Sequence, residues 1–136
     1  MKKKILVTVA AVILIAIAVF LLADRMIPKA FSNLCPNIER LESCQIIGIV
    51  ADESKSAMLK EDGLDALLSE LESIKYSKQG TYGSVMEGNI VTLFFSAKGE
   101  EVFSMHISDT GKVYIGNWCY EVASSRLSDY IKTVLQ

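Results

Sequence analysis

The chain has 136 residues, with 14 Lys and Arg against 16 Asp and Glu, a formal net charge of −2. Five of the basic residues lie within positions 1–30, which leaves nine basic against fifteen acidic residues in 31–136, a net of −6. An acidic body of that kind argues against nucleic acid or an anionic lipid surface as a partner, because both are polyanions.

The run Ile5 to Ala23 reads ILVTVAAVILIAIAVFLLA, with Thr8 its only polar residue. Nineteen residues at the helical rise span about 28 Å, close to the ~30 Å hydrocarbon core of a bilayer. Lys2, Lys3 and Lys4 stand directly before it. The run is longer than the about 7–15 residues of a signal-peptide core. Cleavage after Ala23 would place Leu21 where a small residue belongs, and Ala16-Ile-Ala18 lies inside the apolar run. The expectation is an uncleaved, single-pass signal anchor over 5–23. Residues 1–4 are then a basic cytoplasmic tip and residues 31–136 are extracytoplasmic, by the positive-inside rule. Release as a secreted protein, by signal cleavage, is the alternative.

Residues 24–43 are expected to be a juxtamembrane connector, since Pro28 and Pro36 interrupt any continuous helix. Asn37 to Ser43 has room for one short helical turn. The globular domain is expected to begin near Cys44 and to run to residue 136. Gln45 to Ala51 (QIIGIVA) is apolar on both faces and rich in β-branched residues, the pattern of a central strand covered on at least one side. A polar turn over Asp52–Lys55 and a short strand over Ser56–Lys60 follow.

Leu64, Leu67, Leu68, Leu71 and Ile74 make a helical stripe within Asp62–Lys75, with Asp62 the expected N-cap and Glu70 and Glu72 on the wet side. Tyr76 to Gly88 has three glycines and no sustained period, and reads as a long loop, mobile or laid along the sheet. Period-two strands come next. Val91, Leu93 and Phe95 share one face, then Phe103, Met105 and Ile107, then Val113 and Ile115, with Gly-containing turns between them. Asn117 bends the chain before a strand over Trp118–Val122. A final helix, capped by Ser124 or Ser125, carries Leu127, Tyr130, Ile131, Val134 and Leu135. The expected fold class is α+β: a transmembrane helix, then a two-layer domain with a mostly antiparallel sheet and two helices on one face.

Catalytic and metal-binding sets are thin. His106 is the single histidine, and it alternates out of phase with Phe103, Met105 and Ile107. Cys35, Cys44 and Cys119 leave three internal pairings open, and their plainest reading is as small apolar fillers. A zinc site from these four residues has suitable ligand types but lacks a local C-x₂-C pair, so no metal is expected. No P-loop, G-x-G-x-x-G or G-x-S-x-G is present, so no cofactor is expected. An envelope thiol or hydrolytic enzyme is the least favoured class, and the chain is expected to be a non-enzyme. The residues singled out are Phe94, His106 and Tyr114. With Thr92 and Ser104 they fall on the sheet face away from the helices, where aromatic rings would form a binding patch for a protein or a cell-envelope component.

The MKKK tip with its apolar run, the IIGIV strand, the DGLDALLSELESIK helix, the IVTLFF strand and the GKVYIGNWCYEV end together resemble small exported proteins of Gram-positive bacteria. Those proteins carry an uncharacterised extracytoplasmic domain after one anchor. The resemblance covers most of residues 44–136 and implies location and fold, but no activity. Many such proteins are lipoproteins; here no cysteine stands directly after the apolar run, so the lipobox is missing. An inhibitor or immunity-like factor is what the secreted alternative implies.

Overall fold

A computed structural model describes residues 2–81, 86, 88–123 and 126–136. The first helix, α1 (Lys2–Met26), carries the apolar run. None of its hydrophobic stretch is buried within the protein, and by length and composition it can cross a membrane. Its one polar side chain is satisfied inside the helix, where the Thr8 hydroxyl donates to the Lys4 carbonyl at 2.8 Å. Such a helix, exposed on all sides and apolar all round, is an anchor or a signal sequence.

The domain that follows is a seven-stranded antiparallel sheet with helices packed on one face. Its strands are β1 (Ser43–Val50), β2 (Glu53–Lys60), β3 (Ser77–Thr81), β4 (Ile90–Ala97), β5 (Glu100–Ser108), β6 (Lys112–Ile115) and β7 (Trp118–Glu121). Their order across the sheet is β2-β1-β4-β5-β6-β7-β3. The expected meander, β4 to β7, is its middle. Tight turns hold it together. Lys98 and Gly99 both adopt positive φ between β4 and β5, and Ala51 and Asp52 do so between β1 and β2, the geometry that two-residue hairpins need.

Among the described residues, three more α-helices complete the fold, a single turn α2 (Phe31–Leu34), α3 (Glu61–Glu72) and α4 (Arg126–Leu135), with the expected short turn of 3-10 helix at Ile38–Arg40. Leu64, Leu67 and Leu71 of α3 and Leu127, Ile131 and Leu135 of α4 pack with Ile46, Leu93, Phe95, Met105, Ile107 and Val113 of the sheet. The stripes and alternations therefore meet as the two-layer α+β arrangement requires. Gly48 lets α4 approach β1, because a Cβ there would lie 2.8 Å from Val91 Cγ2 and 3.2 Å from Leu135 Cδ1.

Several details differ from expectation. The segment 24–43 supplies core residues: Phe31 and Cys35 are fully buried and Leu41 nearly so. The Phe31 ring lies 6.0 Å from those of Phe95 and Phe103 and 6.3 Å from Tyr76. Glu72 is exposed as expected, but its carboxylate is not idle, since it accepts from the Ser32 N–H and hydroxyl, both at 2.8 Å. Glu70 pairs with Arg126 at 2.9 Å and ties α3 to α4. Asp62 sits in the first turn of α3 rather than at its cap, which is Lys60. The turn after β1 is Ala51–Asp52, so β2 begins at Glu53. Ser77–Thr81, read as loop, is a strand paired with β7. The rest of that loop expectation falls largely on residues 82–85 and 87, and the Ser124 or Ser125 cap on 124 and 125, all outside the described residues.

Candidate functional site

The helix layer covers one face of the sheet, and strand register decides what stands on the other. Across that second face run Ser56, Ile47, Thr92, His106, Tyr114 and Cys119, each the paired neighbour of the last. One step along, Met58, Gln45, Phe94 and Ser104 make a second row. Phe94, His106 and Tyr114 therefore share one face, with Thr92 and Ser104 among them.

Their exposure is unequal. Phe94 and His106 are half-buried, but Tyr114 is only 2% exposed and stands outside the main hydrophobic cluster. A partner resting on this face would not reach the Tyr114 ring directly, so a three-ring open patch is not what the fold presents. Sequence reasoning missed the aliphatic side chains beside it. Ile47 is 38%, Ile49 60% and Met58 55% exposed. The β-branched density of IIGIV was the available signal, but it indicates a strand apolar on both faces without saying that one face stays bare. The apolar part of the surface thus centres on β1, β2 and β4, between Met58, Ile47, Ile49 and Phe94.

The ionisable groups on and near this face are quiet. His106 Nδ1 lies 2.8 Å from Thr92 Oγ1, and burial lowers its pKa below the ordinary histidine value. Cys119 is two strands away, with Tyr114 between, roughly 10 Å at the usual strand spacing. No Cys–His pair is formed. Cys44, paired with Phe95, faces the helix layer, whereas Cys119, paired with Tyr114, faces away. Four strand positions also separate β1 from β7, so a Cys44–Cys119 disulfide is excluded by geometry. None of the three cysteines is joined in a disulfide, and all three are buried. Burial pushes Cys35 up to about 11 and Cys44 up to about 12, far from the thiolate that nucleophilic or metal chemistry needs. Among the described residues no group of three or more His, Cys, Asp or Glu is arranged to hold a metal ion.

No family model matches this chain, and no curated protein or solved structure is detectably similar to it. Sequence, geometry and chemistry alone carry the functional reading.

Proposed function

We propose that this chain is a binding domain held at the outer face of the cell membrane by its first helix. In this reading α1 crosses the membrane once, Lys2 to Lys4 remain in the cytoplasm, and residues 31–136 stand outside. The domain works by contact rather than by catalysis, and takes a protein or a cell-envelope component on the exposed part of the second sheet face, over β1, β2 and β4. The observation that carries the reading is the exposed aliphatic group Ile47, Ile49 and Met58 beside half-buried Phe94, on a face without a helix layer. Small domains seldom leave contiguous apolar side chains in water unless another molecule covers them.

The test is a pull-down from detergent-solubilised membranes with wild type and with Ile49→Ser/Met58→Ser. Loss of one captured species in the variant, with the fold intact, supports the reading; identical captured sets would remove this face as the binding surface. Topology is tested by protease shaving of wall-stripped cells, which should digest the domain and spare the Lys2–Lys4 end. The secreted alternative is decided by the mass of the cell-associated protein: the intact mass supports the anchor, and loss of the apolar run would replace it with release.

A further inference from the structure

We infer that the domain does not swing on a loose tether but rests on the lipid interface, with Trp118 and Lys78 set at headgroup depth. This rests on reading α1 as membrane-crossing. Leu21, Leu22 and Asp24 from the end of α1 line one cleft of about 260 Å³ together with Lys78 of β3 and Trp118 of β7. The Lys78 ammonium lies 2.9 Å from the Asp24 carboxylate and 3.7 Å from the centroid of the Trp118 ring. The Lys29 ammonium also pairs with Asp24. The Lys29 backbone exchanges two hydrogen bonds with Tyr76, both 2.8 Å, directly before β3. Ion pairing, a cation–π contact and backbone pairing thus fix the helix end to the edge of the sheet.

The same contacts set the direction of approach. Lys29 lies at the start of β3, whereas Leu21 and Leu22 lie beside Trp118, which pairs with Thr81 at the end of β3. The end of α1 therefore runs antiparallel to β3, and its N-terminal part extends beyond Thr81. The sheet end bearing Thr81, Trp118 and the Gly116–Asn117 turn faces the bilayer. The apolar run stops at Ala23, so Leu21 and Leu22 mark the outer limit of the hydrocarbon, and side chains that share their cleft lie where headgroups begin. Trp118, 40% exposed, has the amphipathic ring favoured at that depth, and a lysine beside it keeps its ammonium in the polar layer. The domain as a whole is acidic, so attraction to anionic lipid does not hold it there. The surface recognised is a zwitterionic phospholipid interface, entered by a ring.

Trp118 is the single tryptophan, so its emission reports this site alone. The full chain is reconstituted into phosphatidylcholine vesicles, floated on a gradient, and its fluorescence compared in vesicles with bromine near the headgroup or near the bilayer midplane. Docking predicts at least roughly twofold quenching by shallow bromine, less by deep bromine, and poor quenching by aqueous iodide, as for an interfacial indole. Asp24→Asn with Lys78→Ala should float equally well but lose most of the shallow quenching. A chain that floats while Trp118 answers only to iodide overturns the docking and leaves the anchor in place. A chain that does not float overturns the anchor, and the docking with it.

Discussion

Replacing Phe31 with alanine removes a ring that is wholly buried and touches the cluster of Phe95, Phe103 and Tyr76, although it lies upstream of β1. Burying a phenylalanine side chain contributes about 1.5–3 kcal/mol by area, and each favourable ring pair adds about 0.5–1.5 kcal/mol. The three ring contacts share one ring and do not add fully, and the cavity left behind relaxes only in part. The expected loss is therefore about 4 kcal/mol, within the range of about 3–5 kcal/mol for Phe→Ala in packed cores. In urea that lowers the unfolding midpoint by roughly 2–3 M for a domain of this size. The assay is a urea titration of the full chain in mild detergent, followed by far-ultraviolet circular dichroism. Ile47→Ala, on the uncovered face, is the comparison and should cost less than about 1 kcal/mol. A Phe31→Ala loss no larger than that of Ile47→Ala would refute the reasoning: residues 24–43 would then be a linker lying against the domain rather than part of its core.

Other outcomes follow from single contacts. Gly48→Ala drives a methyl group into Val91 and Leu135, so it should destabilise by about 1–3 kcal/mol; an unchanged urea midpoint would mean that α4 does not press on β1. Cys35 and Cys44 should resist alkylation at pH 8 in the folded chain and react on denaturation, since both are buried with raised pKa values; rapid labelling of the native chain, read by peptide mass mapping, would contradict this. For His106 the folded pKa lies below the ordinary value of 6.5 because burial disfavours the imidazolium. The stability it contributes is fully present above pH 6.5 and declines as pH falls through the folded value, because the unfolded chain takes up the proton first. Wild type should thus lose more stability than His106→Gln between pH 7.5 and pH 5 in paired urea titrations, and equal losses would rule His106 out as the source.

Legibility followed the range of the interactions. The length and purity of the Ile5–Ala23 run were enough to make α1 an anchor or signal helix, because membrane compatibility depends on composition within one segment. The stripe Leu64, Leu67, Leu71 and the alternation through β4, β5 and β6 were equally local, and so was the α+β class. The strand β3 was not legible. Its residues, SKQGT, have no apolar alternation, and it is ordered by the free edge of β7 on one side and the end of α1 on the other. Nor was the role of Phe31 legible, since a lone aromatic in a proline-flanked segment becomes core only when the sheet offers it Phe95, Phe103 and Tyr76.

The candidate surface divides in the same way. Alternation alone placed Phe94, His106 and Tyr114 on one face, because successive strand residues must point to opposite sides. Which of them meets solvent was decided by the tertiary fold, in which Ile47, Ile49 and Met58 stand bare near one edge of the sheet while Tyr114, near the other, is buried. The sequence by itself determined the membrane-compatible helix, the helical and strand periods and the face on which each strand residue stands. Strand order, the burial of Phe31 and the contacts of Lys78 with Asp24 and Trp118 came only from the tertiary structure, because each joins residues too far apart in the chain for any local period to link.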